Sequence, residues 1–84
     1  MIPSIIRYTR EAVAAIYTIP RGKAAIVSEA IKALAKISRP LGVHELTIPN
    51  TYSLKVGNHF VLYEVVDNER IVKILTIERI EDGH

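Results

Sequence analysis

Between Tyr52 and Ile80 the chain reads YSLKVGNHFVLYEVVDNERIVKILTIERI, rows of β-branched and aromatic residues broken at Gly57-Asn58 and again at Asp67-Asn68-Glu69. Residues of this kind favour the pleated, half-buried surface of a sheet, and the breaks carry turn-forming types. The pattern predicts three consecutive antiparallel strands: Tyr52–Val56, His59–Val66 and Arg70–Ile80. Gly57 supplies the positive φ that so short a turn needs. The central strand is apolar at both parities and is expected to be buried on both faces. A meander must cover one face with other elements, and its second face is left for whatever the protein binds.

The first half supplies the cover. Ile5–Tyr8 is a short strand, and Thr9 is placed to cap a helix over Arg10–Tyr17, with Ala12, Val13, Ile16 and Tyr17 on one side and Glu11 near the positive end of the dipole. Pro20 suits the start of a second helix, Arg21 to Ser38, whose stripe is Ile26, Val27, Ala30, Ile31, Ala33, Leu34 and Ile37. Lys32, Lys36 and Arg39 suit its C-terminal end, and Pro40 with Gly42 stops it. Leu41–Thr51 is a connector expected to cross an end of the sheet. The fold class is α+β: an N-terminal helical hairpin packed on a twisted antiparallel sheet, in the order β-α-α-β-β-β.

With 84 residues the chain is expected to form a single domain over 1–84, burying roughly 60–65% of the surface its unfolded form exposes. Hydrophobic residues at 49% and charged ones at 24% fit a globular chain rather than a disordered one. The absence of cysteine excludes disulfides and thiolate metal sites. Met1–Arg10 holds Pro3, Arg7 and Arg10 and no long apolar run, so neither a signal peptide nor a membrane span is expected, and the reading is cytoplasmic. A net charge of +2 permits an anionic partner without requiring one. No P-loop, dinucleotide fingerprint, nucleophile elbow or metal-ligand spacing is present, and no cofactor is expected.

The opening IIRYTREAVAAI, the helix AIVSEAIKALAKISRP, the GVHEL element and above all YSLKVGNHFVLYEVVDNERIVKILTI resemble the RelE/ParE superfamily of toxins from type II toxin–antitoxin systems. The family phrase runs leucine, basic, hydrophobic, glycine, two polar or aromatic residues ending in arginine, then an apolar run into tyrosine. Leu54, Lys55, Val56, Gly57, Asn58, His59, Val61, Leu62 and Tyr63 fit it. The resemblance implies two helices on a twisted antiparallel sheet and a tight complex with a cognate antitoxin. It implies one of two activities: RelE-like members cut messenger RNA in the ribosomal A site, and ParE-like members poison DNA gyrase. The branches share a fold, so the fold alone does not choose. Phe60 stands where the family has an arginine and cannot hold a charge toward phosphate. The family's later arginine is either displaced to Arg79 or replaced by Ile80, and a one-residue shift of register moves that side chain to the other face.

Cutting RNA requires a proton acceptor, a proton donor and fixed positive charge at the phosphate. Lys55, His59 and Arg79 are the residues singled out for phosphate binding, proton transfer and charge stabilisation, on the expectation that Lys55 and His59 approach across the Gly57 turn. Arg70 and Lys73 are assigned to the substrate backbone. Tyr52, with Phe60 and Tyr63, is assigned to base stacking. His44 with Glu45 is a second acid–base pair. The plainer reading makes the charges solvated edge residues and the aromatics cross-strand packing. The leading functional reading is a RelE-like endoribonuclease that inhibits translation, with antitoxin, ribosome and mRNA as partners. The alternative is a non-nucleolytic module, either gyrase-directed or a degenerate member that binds antitoxin or pairs with a second copy through its exposed sheet edge.

Overall fold

The computed structural model describes residues 2–80. Strand β1 (Ile5–Tyr8) leads into helices α1 (Arg10–Tyr17) and α2 (Arg21–Ala33). The strands β2 (His44–Glu45), β3 (Thr51–Val56), β4 (His59–Val66) and β5 (Ile71–Arg79) follow. They form a five-stranded sheet in the order β1-β5-β4-β3-β2. The three-strand meander and the order β-α-α-β-β-β are as the sequence predicts. The sheet is mixed, however, because β1 lies parallel to β5. The connector also donates a two-residue edge strand, pairing His44 with Ser53 and Glu45 with Tyr52.

Each helix starts as its sequence dictates. The Thr9 hydroxyl accepts the Ala12 N–H at 3.1 Å and itself donates to the Leu75 carbonyl. That carbonyl sits where the β4–β5 ladder slips by one residue, since Leu62 faces Thr76 while the next residue, Tyr63, faces Ile74. A β-bulge leaves one residue unpaired, and the α1 cap ties this one down. Pro20 opens α2 without a side-chain cap. The α2 helix ends earlier than the predicted Ser38: Leu34, Ala35 and Lys36 bond three residues back, so the last turn tightens before Pro40.

The core lies between the helices and one sheet face. Ala12, Val27, Ile31 and Leu34 meet Tyr52, Val61, Tyr63, Val65, Val72, Ile74 and Ile77. The i, i+4, i+7 set Val27, Ile31 and Leu34 is buried, whereas Ile26 and Ile37 of the broader predicted stripe are each 62% exposed. The other correction concerns β4. Its residues alternate buried and half-buried, so only one of its faces is core. Phe60, Leu62, Glu64 and Val66 look outward, because the helices cover a single side.

Ser38 and Arg39 are fastened to the sheet. The Tyr63 hydroxyl donates to the Ser38 carbonyl at 2.8 Å. Arg39 donates through Nε to the Tyr52 hydroxyl at 2.6 Å and through both terminal nitrogens to Asp67, at 3.0 and 2.8 Å. This anchor fixes where the connector leaves α2, and therefore where His44 reaches the sheet.

Candidate functional site

Two regions concentrate polar side chains, one on each side of the sheet. On the open side, Lys55, Phe60 and Glu78 form one cross-strand row. His44, Ser53, Leu62 and Thr76 form the next. All of these except Thr76 line a shallow concavity of about 520 Å³, with an apolar floor of Leu46, Phe60 and Leu62. Farther along the same face, Lys73 and Glu64 face one another with Nζ and Oε1 3.8 Å apart. Lys73 lies five residues before Glu78 along β5, with the bulge between them, and does not line the concavity.

On the helix side, His59 and Arg79 are cross-strand partners. They line a cavity of about 290 Å³ with Lys23, Asn58 and the α1–α2 junction at Thr18, Ile19 and Pro20. The proposed grouping of Lys55, His59 and Arg79 is therefore corrected. A two-residue turn makes Val56 and His59 partners, so Lys55 and His59 have opposite parity and point to opposite sides. Turn length alone carries that signal. The side on which Arg79 lies is set by the bulge at Leu75: with continuous pairing from Val66↔Ile71, His59 would face Glu78, whereas the observed partner is Arg79.

The remaining assignments also find definite places. Tyr52 is buried against Tyr63, ring centroids 5.6 Å apart, with the Arg39 guanidinium 5.3 Å above its ring. It is a core and anchor residue, with no face free to stack on a base. Arg70 is exposed in the left-handed region at φ 53°, ending the Asp67–Glu69 turn. His44 and Glu45 are successive strand residues on opposite faces, which separates that pair. Sequence reasoning missed Glu78 and Lys23, because their neighbours come from register and helix placement.

The sequence comparison decides the family. Residues 6–82 match the model of the ParE toxin of the type II toxin-antitoxin system parDE. The chain belongs to this family. No curated protein matches it. Among solved structures, the isolated E. coli RelE toxin is similar at TM-score 0.87 and 12% identity, over 96% of this chain and 88% of that one. A chain of the RelBE2 toxin-antitoxin complex of Mycobacterium tuberculosis gives TM-score 0.82 and 23% identity, over 93% and 99%. A chain of the chromosomal ParDE system of P. aeruginosa gives 0.75 and 17%, over 93% and 97%. At these identities the likeness concerns the fold, and both RelE and ParE proteins share it with this member of the superfamily. Among the described residues no helix is long and apolar enough to cross a membrane.

Proposed function

We propose that this ParE-family toxin acts by binding its target rather than by cutting RNA, with DNA gyrase, the target of ParE-like members, as that target, and that a cognate antitoxin restrains it. The observation that carries the reading is the middle of the open face. Phe60 stands between Lys55 and Glu78, an apolar surface with one cation and one carboxylate beside it. Phosphodiester cleavage needs positive charge converging where negative charge develops. His59 and Arg79 lie on the other side of the sheet. An apolar centre with a mixed-charge rim suits a protein surface.

The antitoxin reading draws on the solved complexes of RelBE2 and of ParDE. It also draws on exposed apolar side chains around α1: Tyr17, 86% exposed, which shares a shallow hollow with Val13 and Ile16 of α1 and Tyr8 of β1. Such a patch on a small chain suits an amphipathic partner segment.

One observation favours the RelE-like alternative: His44, Lys55 and Glu78 surround the same concavity. An imidazole, a cation and a carboxylate there could serve a phosphodiester, with Phe60 under a base. Purified gyrase and a purified translation system separate the two readings. The proposal expects lost supercoiling with intact message, and Phe60→Ala should relieve it. Codon-spaced cuts in mRNA that disappear in Lys55→Ala, with gyrase untouched, would overturn it.

A further inference from the structure

We infer that the cavity on the helix side of the sheet, bounded by the α1–α2 junction, the first turn of α2, the β3–β4 turn and the end of β5, is a binding site for a small phosphate-class oxyanion. Its lining brings Lys23, Asn58, His59 and Arg79 together around about 290 Å³, and none of the lining residues is acidic. Neither Lys23 nor Arg79 has a carboxylate partner among the described residues. The floor is apolar, formed by Ala15, Ile19 and Ile77, which lowers the local dielectric and strengthens charge-assisted hydrogen bonds.

Two independent features point to a ligand. His59 is only 6% exposed, lines this cavity and the adjoining one, and makes no side-chain hydrogen bond to any described residue. Among the described residues no sealed side-chain nitrogen or oxygen lacks a partner, so the unpaired ring nitrogens of this otherwise buried histidine open onto the cavities it lines and are available to a ligand. The cavity also reaches Pro20 and Lys23, the cap and first turn of the thirteen-residue α2. Pro20 offers no capping side chain, and the first intrahelical bond is that of Ala24. The N–H groups of Arg21, Gly22 and Lys23 therefore have no helical acceptor, and the positive end of the dipole is left for an anion.

Ammonium, guanidinium, imidazole and amide donors come from α2 on one side and from β4, β5 and the β3–β4 turn on the other. Donors on opposite sides match the tetrahedral spread of phosphate oxygens better than a flat carboxylate. At the small end of ligand cavities, which run about 300–1,000 Å³, the space suits inorganic phosphate or a small phosphate monoester. The inference does not depend on whether the toxin acts on gyrase or on RNA.

The test is a titration of the full chain with inorganic phosphate at constant ionic strength, followed by amide and imidazole NMR signals. Saturable shifts confined to Arg21–Lys23, Asn58 and the His59 ring are expected. Lys23→Met and Arg79→Gln, both at exposed positions that leave the core intact, should each weaken binding about tenfold, the loss of one charge-assisted contact. Lys36→Met, remote from the cavity, should not. Adenosine 5′-monophosphate binding more tightly than phosphate would identify an ester as the source, and equal binding the free ion. Shifts spread over all basic residues without saturation, unchanged affinity in both variants, or acetate binding as tightly as phosphate would overturn the assignment. So would a response only to an oligonucleotide lacking terminal phosphates.

Discussion

Removing one oxygen, in Tyr63→Phe, tests how the connector is held. Tyr63 is fully buried, its ring packs on Tyr52, and its hydroxyl donates to the Ser38 carbonyl at 2.8 Å. Phenylalanine keeps the ring contacts and removes the hydrogen bond, leaving a part-buried carbonyl to find water. The expected loss is about 1–1.5 kcal/mol, or roughly 4–12 °C in Tm for a domain of this size. Thermal and urea unfolding measure it. The same variant should alter the alkaline limb. Burial, then the neighbouring Tyr52, pushes the Tyr63 phenol from 10.0 up to about 12. Because the folded pKa is the higher one, this contribution is fully present below pH 10 and is lost as pH rises toward 12. The difference in stability between wild type and Tyr63→Phe should therefore change across that window, by an amount on the order of 2–3 kcal/mol at most. Parallel pH profiles, or a Tm change under 1 °C, would refute the reasoning that this hydroxyl is buried and engaged.

Three further outcomes follow from other parts of the fold. The Arg39 hydrogen bonds hold the Asp67 carboxyl below its usual range, so its stabilising effect is present above the ordinary carboxylate pKa and is lost as pH falls through the depressed one; Asp67→Asn should flatten the acid limb of a pH–Tm profile, and high salt should shrink the difference. Ile31→Ala empties a fully buried position on α2 and should cost about 2–5 kcal/mol by denaturant unfolding. Arg70, at φ 53°, pays a left-handed penalty, so Arg70→Gly should be neutral or stabilising by up to ~1 kcal/mol; a matched thermal scan of Arg70→Ala, which gains no such relief, checks the cause.

The sequence by itself determined β1, the starts of both helices and the three-strand meander. Thr9 before an apolar helix, Pro20 at the next start and Gly57-Asn58 between β-branched rows each act through a few neighbouring residues, so their consequences are readable locally. Turn length even carried the parity that separates Lys55 from His59. The end of α2 was less legible, because Leu34–Lys36 tighten their turn and stay out of the continuous helix. Likewise the apolar composition of β4 conceals that its Phe60 and Leu62 side is half exposed, since exposure depends on where the two helices dock.

Only the tertiary structure decided the rest. The parallel pairing of β1 with β5, the edge strand at His44–Glu45 and the Arg39–Asp67–Tyr52 anchor join residues far apart in the chain. No local propensity encodes such contacts. The bulge at Leu75 has the largest consequence for function. Ile74 and Ile77, three residues apart, are both buried on the helix side, which strict alternation forbids. The extra residue reconciles them and turns Arg79 away from the open face toward His59 and Lys23. Thr9, sixty-six residues earlier, bonds the bulged carbonyl. The face on which this chain presents its last arginine is thus set by a long-range contact, which the order of residues around Arg79 does not reveal.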